Sequence, residues 1–296
     1  MKIEKLAAID IGSNAIRLLV ANVIPTKEEN NPIFKKSALV RVPIRLGEDS
    51  FIAGEISDQN KIRVIKAMKA FKLLMDVHGV EKYKACATSA MREASNGTEL
   101  VREVLQKADI DIEIIDGKKE AAIIFSTDLS SIIEKHKSYL YVDVGGGSTE
   151  FTIFSKGKII NSISFKIGSV RLLNKDSMKQ IWDEIETWIK DNTKTLGKIT
   201  LIGSGGNINK LFKLSGKQYG KPMSLIFLKA HYKFLKRMSY EERITELGLN
   251  PDRADVIVPA TKIYLSAMKW SKATKIYVPK IGLADGIVKN LYFRNL

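Results

Sequence analysis

The chain has 296 residues, and 45% of them are hydrophobic, which is typical of a globular protein of about two domains. Its 48 Lys and Arg residues outnumber 33 Asp and Glu residues, and the resulting charge of +15 favours a polyanionic partner. No apolar run reaches the roughly 18 residues of a membrane span, the N-terminus lacks a signal-peptide pattern, and the single Cys86 excludes an internal disulfide. We therefore expect a cytoplasmic protein with Cys86 as a small buried residue.

The basic residues are spread along the chain and form no tail. Zinc-finger spacing, an aromatic RNA-binding pattern and a basic zipper are all missing from the sequence, so we expect no specific nucleic-acid partner and no membrane partner. The histidines His78, His136 and His231 are far apart and have no neighbour at metal-ligand spacing. We interpret them as structural or surface residues.

The first half of the chain alternates strands with helices. Strands are predicted at Leu6–Asp10 and Ile16–Val23, and a third in "ALVRVPIRLG", where Pro43 indicates an edge or an end. Helical spacing with Ser57 or Asp58 as N-cap predicts a helix over 57–78. The alternation favours an α/β layered domain. It continues with a strand near 82–88, a helix near 98–108, a strand at 110–115 and a helix that begins near Lys118.

The pattern then restarts. "YLYVDVGGGSTEFTIF" has the same form as "LAAIDIGSNAIRLLV": a strand, an Asp, a Gly two residues later, a small polar turn and a second strand. A repeat spaced by about half the chain indicates two related halves. The second half is predicted to continue with a strand at 159–166, a helix near 176–195, a strand, glycine loop and helix over 199–214, helical stretches over 229–245 and 251–270, and a closing helix in "KIGLADGIVKNLYF".

The glycine-rich turns suit a phosphate ligand, because glycines let successive backbone N–H groups converge on one anion. Gly145, Gly146, Gly147, Ser148 and Thr149 form one possible cradle. A second is formed by Gly12, Ser13 and Asn14, with Arg17 close by in the sequence. Each loop alone could equally be a hairpin turn, but the repeat favours a functional interpretation. The third loop, Gly203–Gly206, precedes a helix, whose N-terminus is itself an anion site.

Carboxylates flank the central loop. Asp143 and Glu150 border it, and carboxylate oxygens suit magnesium, which binds through one or two acids together with substrate phosphates. Two facing phosphate loops with acids, at the junction of two halves, would form a phosphoryl-transfer cleft.

Two further residues have competing interpretations. Arg92, in "ATSAMREASNG", could bind phosphate with its guanidinium group or be an ordinary surface arginine. Glu120, in the first turn of the helix of "DGKKEAAIIF", could be a general base for water, or it could cap the helix or balance its dipole.

Together these stretches resemble the exopolyphosphatase and guanosine pentaphosphate phosphatase (Ppx/GppA) family. Seven motifs occur in the family's order and span most of the chain: "AAIDIGSNAIRL", "ATSAMREASN", "DGKKEAAIIF", "VDVGGGSTE", "IGSVRL", "GSGGNI" and "DRADVIVPA". The resemblance implies an actin-like, ribonuclease-H-like α/β fold, duplicated in two lobes with a ligand cleft between them. Lobe I would be 1–124 with a C-terminal helix of about 283–296, and lobe II would be 125–282.

The resemblance also implies the site residues. Glu120 would be the catalytic glutamate, and Glu150 would have both a catalytic and a metal-binding role. Asp143 and Glu150 would bind Mg²⁺. Phosphate groups would be bound by Gly12, Ser13, Asn14, Arg17, Arg92, Gly145, Gly146, Gly147 and Ser148. A homodimer is expected from the resemblance alone.

The sequence departs from the family pattern in places. Lys119 replaces an acid that often precedes the catalytic glutamate, and a cation there would favour the ionised form of Glu120. Ala15 stands where the family often has Ser, and "GLADGIV" is less charged than its family counterpart. The chain also resembles a short form that carries the catalytic core alone.

The function that we predict is magnesium-dependent hydrolysis of the terminal phosphoanhydride of inorganic polyphosphate, with water activated by Glu120. The alternatives are removal of the 5′ terminal phosphate from guanosine pentaphosphate, and a sensor that binds polyphosphate or nucleotide with little turnover. A sugar-kinase-like activity is less favoured, because the matching motifs are those of phosphatases.

Overall fold

A computed structural model describes residues 2–27, 31–127, 133–134, 136–173 and 178–293. The chain divides into two units. The first is Met1–Thr127 with Ile281–Leu296, and the second is Asp128–Lys280. Each unit has its own mixed β-sheet and its own hydrophobic core. Residues 28–30, between the second and third predicted strands, and residues 176–177 and 294–296 of the predicted helices lie outside the described residues.

The first unit begins with an antiparallel meander and continues with alternating helices and strands. Its elements up to the second unit are β1 (Glu4–Ile11), β2 (Ile16–Ile24), β3 (Ile33–Val42), α1 (Leu46–Ile52), α2 (Asp58–His78), β4 (Lys82–Ala87), α3 (Ser89–Glu93), α4 (Gly97–Ala108), β5 (Ile112–Ile114) and α5 (Gly117–Phe125).

The second unit also begins with a meander, and the last helix of the chain returns to the first unit. The elements are β6 (Ser138–Val144), β7 (Thr149–Ser155), β8 (Lys158–Phe165), a 3₁₀ turn (Arg171–Leu173), α6 (Lys179–Thr193), β9 (Ile199–Ser204), α7 (Gly206–Leu214), β10 (Met223–Ser224), α8 (Leu225–Arg237), α9 (Tyr240–Thr245), α10 (Pro251–Ala254), α11 (Ile257–Trp270), β11 (Lys275–Tyr277) and α12 (Leu283–Phe293).

The two sheets share one topology, which confirms the duplication predicted from the sequence. The first has the order β3-β2-β1-β4-β5, and the second contains the order β8-β7-β6-β9-β11, with β10 added at its edge. In both, the first three strands pair antiparallel and the next two continue parallel. The turns β1–β2 and β6–β7 therefore occupy equivalent positions in the two sheets.

Burial explains why β1 is the central strand of its sheet. All its residues from Leu6 to Ile11 are buried, as expected of a strand that is covered on both faces. The buried residues Met68 and Phe71 of α2 belong to the same core. Helix α12 packs on β1, β2 and β4, and also on α5. The last helix thus supports the strand that leads into the first glycine turn and the helix that carries Glu120.

Two predicted elements are wrong in their bounds. The third strand was predicted over 38–47, whereas β3 begins earlier, at Ile33. Its end at Val42 agrees with the prediction that Pro43 could mark the end of the strand, because proline has no N–H to continue the ladder, and α1 begins at Leu46. The single helical stretch predicted over 229–245 is broken at Met238, whose backbone is extended. Ser239 there forms a capping box with Glu242 and starts α9.

The stretch predicted over 251–270 is also divided, into α10 and α11. Other local predictions are confirmed. Ser57 is the N-cap of α2 and accepts from the Asn60 N–H at 3.4 Å. Cys86 is buried, and burial raises the pKa of its thiol to about 12. Among the described residues, no helix combines the length and apolar character needed to cross a bilayer.

Candidate functional site

The two turns that were predicted to bind phosphate have the same backbone form. The Gly12 N–H donates to the Ala15 carbonyl at 3.2 Å, and the Gly145 N–H donates to the Ser148 carbonyl at 3.0 Å. Each turn joins the first two strands of its sheet. A side chain at Gly145 would place its Cβ 3.1 Å from the Ser148 carbonyl oxygen, so the turn is tight around this glycine.

The carbonyl groups of the second turn are all used by one nearby segment, residues 168–171. The N–H groups of Ser169 and Val170 donate to the Gly145 and Gly146 carbonyls, both at 2.9 Å. The buried Arg171 donates from its backbone to Gly146 at 3.0 Å and from Nε to the Gly147 carbonyl at 2.8 Å. We call residues 168–171 the second clamp.

The clamp fixes the direction of the turn's N–H groups. In a trans peptide the carbonyl of one residue and the N–H of the next point in opposite directions. Because the carbonyls of Gly145, Gly146 and Gly147 face the clamp, the N–H groups of the three residues from Gly146 to Ser148 point away from it. Successive N–H groups that point to one side form an anion-binding nest.

The first turn has an equivalent clamp, formed by residues 44–47. The Gly47 N–H donates to the Ser13 carbonyl at 2.8 Å, and the Arg45 N–H donates to the Asn14 carbonyl at 3.2 Å. Arg45 adopts a left-handed backbone with φ of 61°, a conformation that costs free energy for a non-glycine residue. Both clamps follow the third strand of their sheet, as the duplication requires.

Side-chain contacts connect the first turn to two other predicted residues. Ser13 Oγ lies 3.0 Å from Ser89 Oγ at the start of α3, the short helix that carries Arg92. Arg92 is half-buried, and its Nη1 donates to the Ile115 carbonyl at 2.6 Å. Ile115 immediately precedes Asp116, the N-cap of α5. Arg92 is therefore partly buried and fixed at one end, and its role in phosphate binding stays a prediction.

Glu120 lies in the first turn of α5, but it does not cap the helix. The Asp116 side chain caps it by accepting from the Lys119 N–H at 2.7 Å. The Lys119 ammonium donates to Glu113 Oε1 at 2.5 Å, and Lys84 lies 2.8 Å from the other oxygen of Glu113. The cation that precedes Glu120 thus belongs to a different ion-pair cluster.

The cross-strand pairs beside the two turns differ in charge. In the first unit Asp10 is in register with Arg17, and Arg17 Nη1 donates to Asp10 Oδ2 at 2.6 Å. In the second unit the equivalent positions are Asp143 and Glu150, again directly in register. One turn is therefore bordered by an ion pair and the other by two carboxylates.

The carboxylate pair fits magnesium. Residues directly opposite on antiparallel strands point to the same face, so Asp143 and Glu150 lie on one face of the hairpin, one residue pair before its end at the glycine turn. Glu150 is only 2% exposed, and its Oε1 accepts from the hydroxyls of Ser148 and Ser164, both at 2.8 Å.

The third glycine loop, Gly203–Gly206, lies close to one of these carboxylates, Asp143. Gly205 has a φ of 114°, and a Cβ there would lie 2.7 Å from the Val144 carbonyl oxygen and 3.4 Å from Asp143 Oδ1. The loop leads into the N-terminus of α7, where helix N–H groups favour an anion. The buried Tyr264 donates its hydroxyl proton to the Ser204 carbonyl. Burial, and then the charge of Asp143, raises the pKa of this phenol, which keeps it a donor.

Comparisons with known proteins identify the family of the chain. A family model described as the Ppx/GppA phosphatase family matches residues 40–292. The chain belongs to the Ppx/GppA phosphatase family. Membership confirms the resemblance found in the sequence, and phosphatase is the class of enzyme that the sequence predicted.

Individual relatives extend the comparison. The chain is 32% identical, over 87% of its length, to a bifunctional 3-dehydroquinate synthase/phosphatase of Fusobacterium nucleatum. It is 29% identical, over 58% of its length, to exopolyphosphatase 2 of Mycobacterium tuberculosis. The matches span 42% and 54% of the lengths of these two relatives.

A solved structure confirms the predicted fold class. The exopolyphosphatase from Cytophaga hutchinsonii superposes with a TM-score of 0.87 at 25% identity, covering 98% of each chain. Together with the duplicated sheets, this establishes the actin-like α/β fold that was expected from the sequence.

The structure adds site residues that sequence reasoning missed. Arg45 contacts its turn through a backbone N–H, and Arg171 contacts its turn through a backbone N–H and Nε. Arg171 lies in the "IGSVRL" motif, but no role was predicted from the sequence for either arginine. Ser164 donates to Glu150 because the two are register partners on β8 and β7. The repeat could have directed attention to the clamps, since each follows the third strand of a duplicated unit.

Proposed function

We propose that this Ppx/GppA family member hydrolyses the terminal phosphoanhydride of inorganic polyphosphate and releases orthophosphate. The observation that carries the proposal is the second glycine turn, whose three N–H groups point away from its clamp beside the Asp143 and Glu150 carboxylates. A nest of N–H groups suits phosphate oxygens, and paired carboxylates suit the metal that accompanies phosphates. The names of the exopolyphosphatase relatives support the substrate class.

The roles follow from the contacts. The amides from Gly146 to Ser148 would bind phosphate oxygens, and Asp143 and Glu150 would hold Mg²⁺, which supplies positive charge to the phosphates. In the first unit, the turn at Gly12, Ser13 and Asn14 would bind a further phosphate. Its clamp turns the N–H groups of Asn14 and Ala15 outward in the same way.

Arg17 and Arg92 would add positive charge to the phosphate site of the first unit. Each already uses one guanidinium nitrogen within the protein, toward Asp10 and Ile115 respectively. The described residues give Nε and Nη2 of Arg92 no hydrogen-bond partner, so these donors remain for a phosphate. A guanidinium fork held at one end is pre-organised for this role.

Glu120 would orient the attacking water and accept its proton. The helix cap is provided by Asp116, and Lys119 is paired with Glu113, so neither neighbour needs Glu120 for local structure. A carboxylate that is half-buried and not required as a cap is suited to general-base catalysis.

The substrate assignment is tested by orthophosphate release from long-chain polyphosphate and from guanosine pentaphosphate, each with magnesium and with a chelator. We expect magnesium-dependent release from polyphosphate. Release from guanosine pentaphosphate alone would favour the nucleotide phosphohydrolase instead. Tight binding of polyphosphate without release would indicate the sensor. The homodimer and the cytoplasmic location expected from the sequence stay predictions.

A further inference from the structure

One stretch of the chain contains no acidic residue. Between Asp191 and Glu241 lie 49 residues with ten Lys and Arg and no Asp or Glu. At the chain's own ratio of 33 acids in 296 residues, about five acids would be expected in this length. The stretch includes β9, α7, β10 and α8 of the second unit. Positive charge is therefore concentrated in one part of this unit.

Helix α8 displays this charge most clearly. Leu228 and Leu235 are buried and attach the helix to the core of the second unit. Lys229, Lys233 and Lys236 are exposed. Their spacing of four and then three residues places them in one row along the solvent face. We call these three residues the lysine row.

The lysine row has no counterion in the part of the chain that the structure describes. Among the described residues, no carboxylate forms an ion pair with any of the three lysines or with the adjacent Arg237. Like charges one turn apart on a helix repel each other. Such a row is unfavourable for the free helix unless an anionic partner neutralises it.

Other exposed helices of the same chain behave differently. On α2, α4 and α6, lysines pair with a carboxylate one turn away, as in Lys61 with Asp58, Lys107 with Glu103 and Lys190 with Glu186. Lys66 and Lys69 of α2 are also exposed and, within the described part of the chain, unpaired. Helix α8 differs from α2, α4 and α6 in that it contains no Asp or Glu at all, so its lysines have no carboxylate within the helix to pair with. Lys217 and Lys221, in the loop that leads to α8, extend the unpaired charge.

We propose that the lysine row binds the distal part of a long polyphosphate chain, away from the terminal phosphate that reacts. This inference rests on the proposed function. The first and last lysines of the row are seven residue steps apart, or about 10 Å along the helix, and a polymer with a charge on every unit can contact all three ammonium groups at once. Binding of this kind is electrostatic and releases counterions, so it weakens as salt rises.

The lysine row and a phosphate loop belong to one unit. Helix α8 packs against α11, and Tyr264 of α11 donates its hydroxyl proton to the carbonyl of Ser204 in the third glycine loop. A chain held by the row would therefore be attached to the same unit that carries the outward N–H groups of the glycine turn.

The helix also exposes apolar groups. Ile226 is 81% exposed and Phe234 is 48% exposed, which would suit the bases of a single-stranded nucleic acid. Polyphosphate is favoured because the row itself contains charged side chains alone, and because Phe227 and His231 already stack on each other with ring centroids 3.9 Å apart.

The test uses two triple variants with the same loss of charge. The first is Lys229→Gln/Lys233→Gln/Lys236→Gln, in which glutamine keeps the helix propensity. The control is Lys35→Gln/Lys66→Gln/Lys69→Gln, which changes three exposed lysines of the first unit. For each variant, kcat and KM are measured with long-chain polyphosphate and with tripolyphosphate, and Kd is measured for labelled long-chain polyphosphate at two salt concentrations.

We expect the row variant to raise KM and Kd for the long chain by about tenfold and to flatten the salt dependence of Kd. Its kinetics with tripolyphosphate, and all values of the control, should stay within about twofold of the unmodified protein. Equal effects of the two triple variants on the long chain would overturn the inference. So would an equal rise in KM for tripolyphosphate.

Two further outcomes distinguish a polyphosphate site from a nucleic-acid site and from a failure of the proposed function. If single-stranded RNA binds the row and long-chain polyphosphate cannot displace it, the row is a nucleic-acid site and the inference is overturned. If the unmodified protein hydrolyses no polyphosphate, the proposed function fails. A Kd that then depends on the lysine row and not on the control lysines would still support the row as a polyphosphate site.

Discussion

Arg17 and Glu150 occupy the same position in the two duplicated hairpins but carry opposite charges. Each lies directly across from an aspartate, Asp10 or Asp143, on the neighbouring strand. In the first unit the pair is an ion pair with a 2.6 Å contact, and in the second it consists of two carboxylates. The duplication has thus produced one hairpin that suits an anion alone and one that suits a cation together with an anion.

Because the second hairpin pairs two carboxylates and the first forms an ion pair, we predict that magnesium binding depends on the second hairpin. Glu150→Gln keeps the size of the side chain and removes its charge, so it should raise the magnesium concentration for half-maximal activity by about tenfold or more. Asp10→Asn is the matched control in the first unit and should leave the magnesium dependence unchanged. Calorimetric titration of magnesium into both variants provides a readout that is independent of turnover. Equal changes in the two variants would contradict the assignment.

The clamp beneath the second glycine turn should be sensitive to a single methyl group. A Cβ at Gly168 would lie 2.4 Å from the carbonyl carbon and oxygen of Gly146, both backbone atoms that cannot move independently. Gly168→Ala should displace the turn and raise KM for polyphosphate by about tenfold. Gly282→Ala is a suitable control, because no heavy atom lies within 4 Å of its added Cβ. An unchanged KM in Gly168→Ala would show that the clamp does not position the turn.

Part of this arrangement could be predicted from sequence. The recurrence of Asp, any residue and Gly between two apolar runs indicated the duplication, because local strand and turn signals are strong there. The clamps could not be predicted, because Gly47 and Arg171 reach their turns through backbone hydrogen bonds that span more than twenty residues of chain. The contact of Ser164 with Glu150 depends on the register of β7 and β8, which is shifted between Ile153 and Phe154.

The break after α8 was missed for a different reason. Apolar residues continue at helical spacing through Met238, so periodicity alone favoured one helix. The capping box of Ser239 and Glu242 was a readable local signal for a new helix start. Periodicity indicates where a helix can form, whereas capping residues indicate where it begins and ends.

The position of α5, which carries Glu120, should depend on its close packing against the last helix, α12. A Cβ at Gly286 of α12 would lie 2.1 Å from the Ile123 carbonyl oxygen of α5. Gly286→Ala should therefore push α5 aside, lower the free energy of unfolding by about 1–3 kcal/mol and reduce kcat. Thermal denaturation and steady-state kinetics measure the two effects. Gly282→Ala again serves as control, and equal behaviour of the two variants would refute the close approach of α12 and α5.

Lys119 should have little influence on catalysis, although it precedes Glu120. It lowers the pKa of Glu113, and Lys84 adds to this effect. Lys119→Met should let the Glu113 pKa rise toward its ordinary value. Since a lowered carboxyl pKa stabilises the fold above the pKa of the unfolded chain, this variant should lose a little stability at neutral pH, and the difference should shrink as pH falls. We expect kcat to stay within about threefold and the pH–rate profile to keep its shape. A shifted acidic limb would show that Lys119 acts on Glu120.

The central claim is that Glu120 activates water while other residues bind the substrate. The most direct test measures phosphate release and the polyphosphate Kd for Glu120→Gln, with Glu103→Gln at a half-buried position of α4 as control. We predict that Glu120→Gln lowers kcat by about a hundredfold or more, with Kd within about threefold, and that the control changes neither. Retention of most of the activity in Glu120→Gln would contradict the account and require another base.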